Sequence, residues 1–171
     1  MKSLRELYKT GRGPSSSHTI GPEIIARNAL ARFGQRRYRV ELFGSLALTG
    51  RGHGTDRVLR EVLGADTDIV FNSTATDIPH PNYMKIYSLS AEGTPEFLFD
   101  AVSVGGGSVL IDGHELADSR EVYPQRDFAE VRAFADGRGM TLPEDVRYYE
   151  PDIYPYLETV GQVMKESVER G

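Results

Sequence analysis

Tyr38-Arg39-Val40-Glu41-Leu42-Phe43 sets apolar side chains at every second position against Arg39 and Glu41, the period of a β-strand with one buried and one solvated face. The segments on either side follow a different period. Before it, residues 22–33 carry Ile24, Ile25, Ala29, Leu30 and Phe33 at helical spacing and stop at Gly34. After it, a polar, glycine-rich loop over 44–56 leads into a second helical stripe, Val58, Leu59, Val62 and Leu63, begun by a Thr55/Asp56 cap and closed by Gly64. Further strands are predicted at 67–71, 83–90, 97–104 and 108–111, with 83–90 and 97–104 joined as a hairpin. Gly105-Gly106-Gly107 between two of them marks a bulge or a close approach of ligand or backbone. The pattern is that of an α+β fold, a mixed or antiparallel sheet of about five strands with helices packed on one side.

At the two ends the character changes. Residues 3–9 form a short amphipathic piece with Leu4, Leu7 and Tyr8 on one side. Beyond about residue 122 a short helix around Phe128, Val131 and Phe134 is followed by a proline-bounded connector over 142–151. A final amphipathic helix carries Ile153, Leu157, Val160, Met164 and Val168 on one stripe. We divide the chain into a domain over 1–122 and a helical connector with a C-terminal docking arm over 123–171.

Composition narrows the function classes. The 171 residues are 39% hydrophobic and 26% charged, an ordinary globular balance, and the net charge of −5 argues against a nucleic-acid or anionic-membrane surface. No apolar run reaches the ~18 residues of a membrane span, and the N-terminus lacks a signal-peptide core, so a cytoplasmic protein is expected. There is no cysteine, hence no disulfide, no thiolate nucleophile and no thiolate ligand for zinc or an iron–sulfur cluster.

The chemistry concentrates in Gly11-Arg12-Gly13-Pro14-Ser15-Ser16-Ser17-His18-Thr19-Ile20-Gly21-Pro22, a polar loop opening into the first helix. Its hydroxyls beside free N–H groups of a helix start suit a carboxylate or phosphate, although Glu23 in the first turn competes with a bound anion. A hydroxyl-capped turn is the plainer alternative. The loop is not a phosphate-binding P-loop, since no lysine precedes the Ser/Thr, and Gly50-Arg51-Gly52-His53-Gly54 lacks dinucleotide-binding spacing. Ser15, Ser16 or Ser17 beside His18 superficially offers a nucleophile and base, but no Gly-x-Ser-x-Gly elbow is present. The spacing of His18, His53, His80 and His114 matches no zinc signature, so no metal site is assigned.

Four motifs together carry a resemblance: residues 13–22, residues 44–56 (Gly-Ser-Leu-Ala-Leu-Thr-Gly-Arg-Gly-His-Gly-Thr-Asp), His80-Pro-Asn-Tyr-Met-Lys85 and Val104-Gly-Gly-Gly107. Over nearly its whole length the chain resembles the beta chain, or beta domain, of bacterial iron–sulfur-dependent L-serine dehydratases. It departs in small ways, with Arg51 where lysine is frequent and Tyr83 where a smaller residue is common. The resemblance implies conversion of L-serine to pyruvate and ammonia. It also implies a 4Fe-4S cluster, held by a cysteine-bearing alpha subunit or domain, that polarises the substrate hydroxyl while a base takes the alpha proton. By motif position His53 is the candidate base, with His18 assisting and the two roles open to exchange. Ser15, Ser16, Ser17 and Thr19 would hold the substrate. The histidine and serine loops should then lie together on one open polar face. L-serine and the alpha part are the expected partners, with no nucleic acid and no membrane, and the number of copies is left open. The family's beta domain also resembles the allosteric substrate-binding domain of some phosphoglycerate dehydrogenases, so a non-catalytic anion or amino-acid sensor is the rival function.

Overall fold

The computed structural model describes residues 1–8, 11–116 and 121–171. The chain divides into two compact units, Thr10–Leu116 and a smaller one made of Met1–Lys9 with Ala117–Gly171.

The larger unit is an α+β body around a six-stranded mixed sheet. Its strands are β1 (Tyr38–Phe43), β2 (Asp68–Asn72), β3 (Tyr83–Leu89), β4 (Pro95–Gly105), β5 (Ser108–Ile111) and β6 (His114–Glu115), in the order β2-β1-β3-β4-β5-β6. β1 runs parallel to β2, a pairing that requires a crossover, and the chain between them supplies α2 (Gly44–Thr49) and α3 (Thr55–Leu63). The remaining neighbours are antiparallel, Val40 standing opposite Ile86 in β3 and Ile69 in β2.

Alternation in β1 does what its sequence demands. Tyr38, Val40 and Leu42 are fully buried and join Met84, Ile86, Phe99, Ala101, Val109 and Ile111 in one core. Helix α1 (Gly21–Phe33) contributes Ile25, Ala26 and Ala29 to that core, and α3 contributes Leu59 and Leu63. Each large aliphatic group so buried stabilises the unit by about 1.5–3 kcal/mol. Tyr38 also closes α1: its hydroxyl donates to the Gly34 carbonyl at 2.6 Å, just past the helix end. On the opposite sheet face the polar residues pair across strands, Arg39 with Asp68 at 2.6 Å and the Tyr87 hydroxyl with Glu41 at 3.2 Å.

Two segments differ from the sequence expectation in ways that matter for the site. The serine loop is itself helical: Ser16–Ile20 forms a wide π-helical turn that runs without a break into α1. Within the glycine-rich loop, Ser45-Leu46-Ala47-Leu48 winds into α2, because Leu46 and Ala47 have a core to enter. The three glycines at 105–107 serve a tight β4–β5 connection.

In the smaller unit the N-terminal ammonium donates to the Tyr123 carbonyl at 2.5 Å and the Gln125 carbonyl at 3.1 Å. Helices α4 (Phe128–Arg138), α5 (Leu142–Tyr149) and α6 (Ile153–Arg170) follow. The stretch over 142–151, expected as a connector, is mostly α5. A Thr141/Glu144 capping box and Pro143 in the first turn start it, a signal present in the sequence as Thr-x-x-Glu. Glu150 ends α5 and gathers the Leu4 N–H (3.0 Å), the Tyr123 hydroxyl (2.5 Å) and the Ser3 hydroxyl. Burial pushes its carboxyl up, but these hydrogen bonds outweigh burial and hold it below the usual range. In α6 only Ile153 is buried, and Met164 and Val168 are exposed. Among the described residues no helix is long and apolar enough to cross a membrane.

Candidate functional site

Two chain segments build the site, and both lie in the larger unit. The first begins at Ser15, whose extended backbone lets its side chain fold forward so that Oγ accepts from the His18 N–H at 3.2 Å. The Ser15 carbonyl meanwhile accepts from both Thr19 N (2.9 Å) and Ile20 N (3.3 Å), which widens the turn beyond α-helical pitch. A single wide turn of this kind is a recurrent functional-site feature because it re-aims side chains that a regular helix would hold apart. Gly21 ends it at close quarters: a Cβ there would lie 2.0 Å from the Oγ of Ser103, which is itself fully buried on β4.

The second segment turns out of β1 at Gly44, whose φ of 52° brings the chain within reach of the 79–82 loop. A Cβ at Gly44 would sit 2.5 Å from the Pro81 carbonyl oxygen. That same oxygen accepts from Ser45 N at 2.7 Å and so anchors α2. The Gly50–Gly54 turn then carries His53, whose N–H bonds back to the Thr49 and Gly50 carbonyls, and Arg51 caps the turn from outside by stacking on Phe71 at 4.2 Å.

These segments place the His18 and His53 rings 4.8 Å apart, tilted by 42°. Two threonines fix that spacing by reciprocal hydrogen bonds. The Thr19 hydroxyl donates to the His53 carbonyl at 3.0 Å, and the Thr55 hydroxyl donates to the His18 carbonyl at 2.5 Å. Both threonines are buried.

The two imidazoles are held differently. His53 is half-buried, and its Nδ1 lies 3.0 Å from the Thr49 carbonyl oxygen. A carbonyl only accepts, so Nδ1 carries the proton and Nε2 presents a lone pair. His18 is buried, with Nδ1 2.9 Å from Ser17 Oγ and Nε2 3.0 Å from Ser45 Oγ. Burial lowers the His18 pKa below the ordinary histidine value and the neighbouring His53 adds to that, while a hydrogen bond with the Ser45 main chain opposes both. The ring is therefore held toward its neutral form.

Of the residues singled out from the sequence, the structure brings Ser15, Ser17, His18, Thr19 and His53 together, with Ser16 exposed beside them. Thr19 is inside rather than on the open face, its hydroxyl committed to His53. Sequence reasoning did not single out Ser45, Thr49 or the bracing role of Thr55. Ser45 and Thr49 stood inside a quoted motif, but only the unforeseen helix α2 shows that each addresses a different histidine. His80 and Asn82 also belong to the surroundings: His80 Nδ1 accepts from Asn82 N at 2.9 Å, and Asn82 Nδ2 donates to the Ser103 carbonyl at 3.2 Å. That turn presents Pro81 to Ser45. His114 lies on β6 and bonds to the Asp112 carbonyl. Among the described residues no group of three His, Asp or Glu side chains is placed to hold a metal ion.

Residues 3–65, which contain both segments, match the family described as the serine dehydratase beta chain. Over that segment the chain is similar to this family. Its relatives bear the name as well. The chain is 29% identical to an L-serine dehydratase of Streptomyces coelicolor, an alignment covering 99% of this chain and 49% of that protein. It is 35% identical to a probable L-serine dehydratase beta chain of Bacillus subtilis over 61% of this chain and 57% of the relative. Over 60 residues it is 47% identical to an L-serine dehydratase of Mycobacterium bovis. The chain spans about half the length of the longer relatives it matches.

Proposed function

We propose that this chain is the substrate-handling half of an L-serine dehydratase, which converts L-serine to pyruvate and ammonia. The observation that carries the reading is the pair of histidines 4.8 Å apart, one with an Nε2 that has no hydrogen-bond partner among the described residues, beside a hydroxyl-rich helix start. In this reading His53 Nε2 takes the alpha proton. An imidazole is suited to that step, and the Nδ1–H bond to Thr49 fixes the tautomer that leaves the Nε2 lone pair to accept the proton. Ser16, Ser17 and the main chain at the start of the Ser16–Ile20 turn hold the substrate carboxylate, with the helix partial charge adding to the attraction. His18, buried and held toward neutrality, adds no competing positive charge to the ring beside it and orients the Ser17 hydroxyl.

An iron–sulfur cluster does not fit the residues present here. The chain has no cysteine, and its histidines are engaged with main-chain and hydroxyl groups. We assign such a cluster to the cysteine-bearing part of the enzyme, which corresponds to the half of the longer relatives that this chain does not span. The residues of this chain account for binding and proton abstraction. The reading is tested by following the Cα–H signal of L-serine in deuterated water with the complete enzyme. Exchange or turnover by the wild type and loss of both in His53→Gln supports it, and retained exchange in the variant refutes it.

A further inference from the structure

We infer that Arg51 is a positioning residue that clasps the Gly50–Gly54 turn to the edge strand β2 by stacking on Phe71, and that this clasp holds the His53 ring against His18. The consequence for catalysis rests on the proposed function; the clasp itself does not.

His53 stands at a corner of the chain. The Arg51 carbonyl accepts from Gly54 N at 3.2 Å, so Gly52 and His53 are the central residues of a tight turn that begins at Arg51. With glycine at 50, 52 and 54, the turn has no apolar side chain of its own to bury. Its other main-chain bonds, from His53 N to the Thr49 and Gly50 carbonyls and from Thr55 N to the Gly50 carbonyl, stay within the turn and its flanking helices. They shape the turn without fixing where it lies over the sheet. On the inner side His53 is held through its carbonyl by Thr19 at 3.0 Å and through Nδ1 by Thr49 at 3.0 Å, and both bonds act on that one residue. Arg51 supplies the connection to the sheet. Its guanidinium carbon lies 4.2 Å from the centre of the Phe71 ring, well inside the reach of a cation–π contact. Phe71 stands beside the fully buried Leu42 in the β1–β2 register, so it shares the core-facing side of the sheet. Being on the edge strand it is only half-buried, which leaves a ring face that a planar cation can cover. The first residue of the His53 turn is thereby pinned to a rigid strand, two positions before the imidazole.

The test records the nuclear Overhauser contact between the ring protons of His18 and His53, whose ring centres are 4.8 Å apart, in the full chain, and then the kinetics of the complete enzyme. Arg51→Gln keeps most of the stem and removes the cation; Phe71→Leu keeps apolar bulk and removes the ring. Each should weaken the contact, and the double variant should weaken it no further than either alone, because the two groups form one interaction. Arg51→Lys and Phe71→Tyr, which keep a cation and a ring, should retain it. In the complete enzyme Arg51→Gln should lower kcat about two- to fivefold, the factor that one partly exposed cation–π contact is worth, with KM for L-serine unchanged. An undiminished ring contact in Arg51→Gln overturns the inference whatever the kinetics. A raised KM at unchanged kcat also overturns it, because Arg51 would then be a contact of the substrate carboxylate. A weakened ring contact with unchanged kcat upholds the clasp and counts against His53 as the base, so the two readings fail separately.

Discussion

Replacing His53 by glutamine removes the proposed base while keeping a side chain of similar reach whose amide N–H can still donate to the Thr49 carbonyl. The structure separates two costs. The structural one is the single Nδ1–H bond at 3.0 Å on a half-buried ring, about 0.5–1.5 kcal/mol at most, and less where glutamine or water replaces it. The catalytic one is the loss of general-base assistance, about 10²- to 10⁴-fold in kcat, or roughly 3–5.5 kcal/mol at 1.36 kcal/mol per decade. Because the substrate carboxylate is assigned to the serine turn rather than to His53, KM should change little. The assay is pyruvate formation by the complete enzyme, with thermal unfolding of the variant as the control. A kcat within about threefold of wild type in a variant of unchanged Tm would refute the assignment, since a true base cannot be removed that cheaply.

Other consequences can be checked on the same material. Ser16→Ala combined with Ser17→Ala should raise KM with a smaller change in kcat, because carboxylate contacts are shared by ground and transition states; unchanged L-serine affinity by calorimetry would leave the turn as a cap alone. Thr55→Val keeps the buried shape but leaves the His18 carbonyl without its 2.5 Å donor, and should cost about 1–3 kcal/mol in urea unfolding; a loss within error would mean the reciprocal brace is not structural. The lowered His18 pKa fixes a sign for acid. The unfolded chain takes up a proton near 6.5 and the folded ring does so only at lower pH, so the stability due to neutral His18 is present above 6.5 and drains away as pH falls through the folded value. The neighbouring His53 adds to the lowering, and His18→Gln should flatten the urea midpoint against pH below 6.5, a flattening whose absence counts against the burial of a neutral ring.

What could be read from residues alone was what periodicity and punctuation specify. β1 was legible to the residue because its alternation is strict and its face is buried, and α1 and α3 were legible because Gly34 and Gly64 close them. The sixth strand was not, being the two residues His114–Glu115 with no pattern of their own. Within the site, the residue types in the serine and histidine loops declared themselves, but their meeting did not. That depends on Thr19 and Thr55 reaching across 34 and 37 positions of sequence, and local pattern says nothing about such distances. Helix α2 was masked by its flanking glycines and its brevity, since six residues lie below the length at which helical periodicity can be distinguished from a loop. With it went the roles of Ser45 and Thr49. The match to the serine dehydratase beta chain family falls on the same stretch, 3–65, that supplies both loops.

The measurement that bears most directly on the whole account is a reconstitution. The chain is purified alone and assayed for pyruvate from L-serine, and then mixed anaerobically with the proposed cysteine-bearing partner and assayed again. With no cysteine to hold a cluster, the chain alone should give no pyruvate, and the mixture should turn over in a manner that His53→Gln abolishes. Turnover by the isolated chain, or a stable complex of the two parts that leaves L-serine untouched, would contradict it.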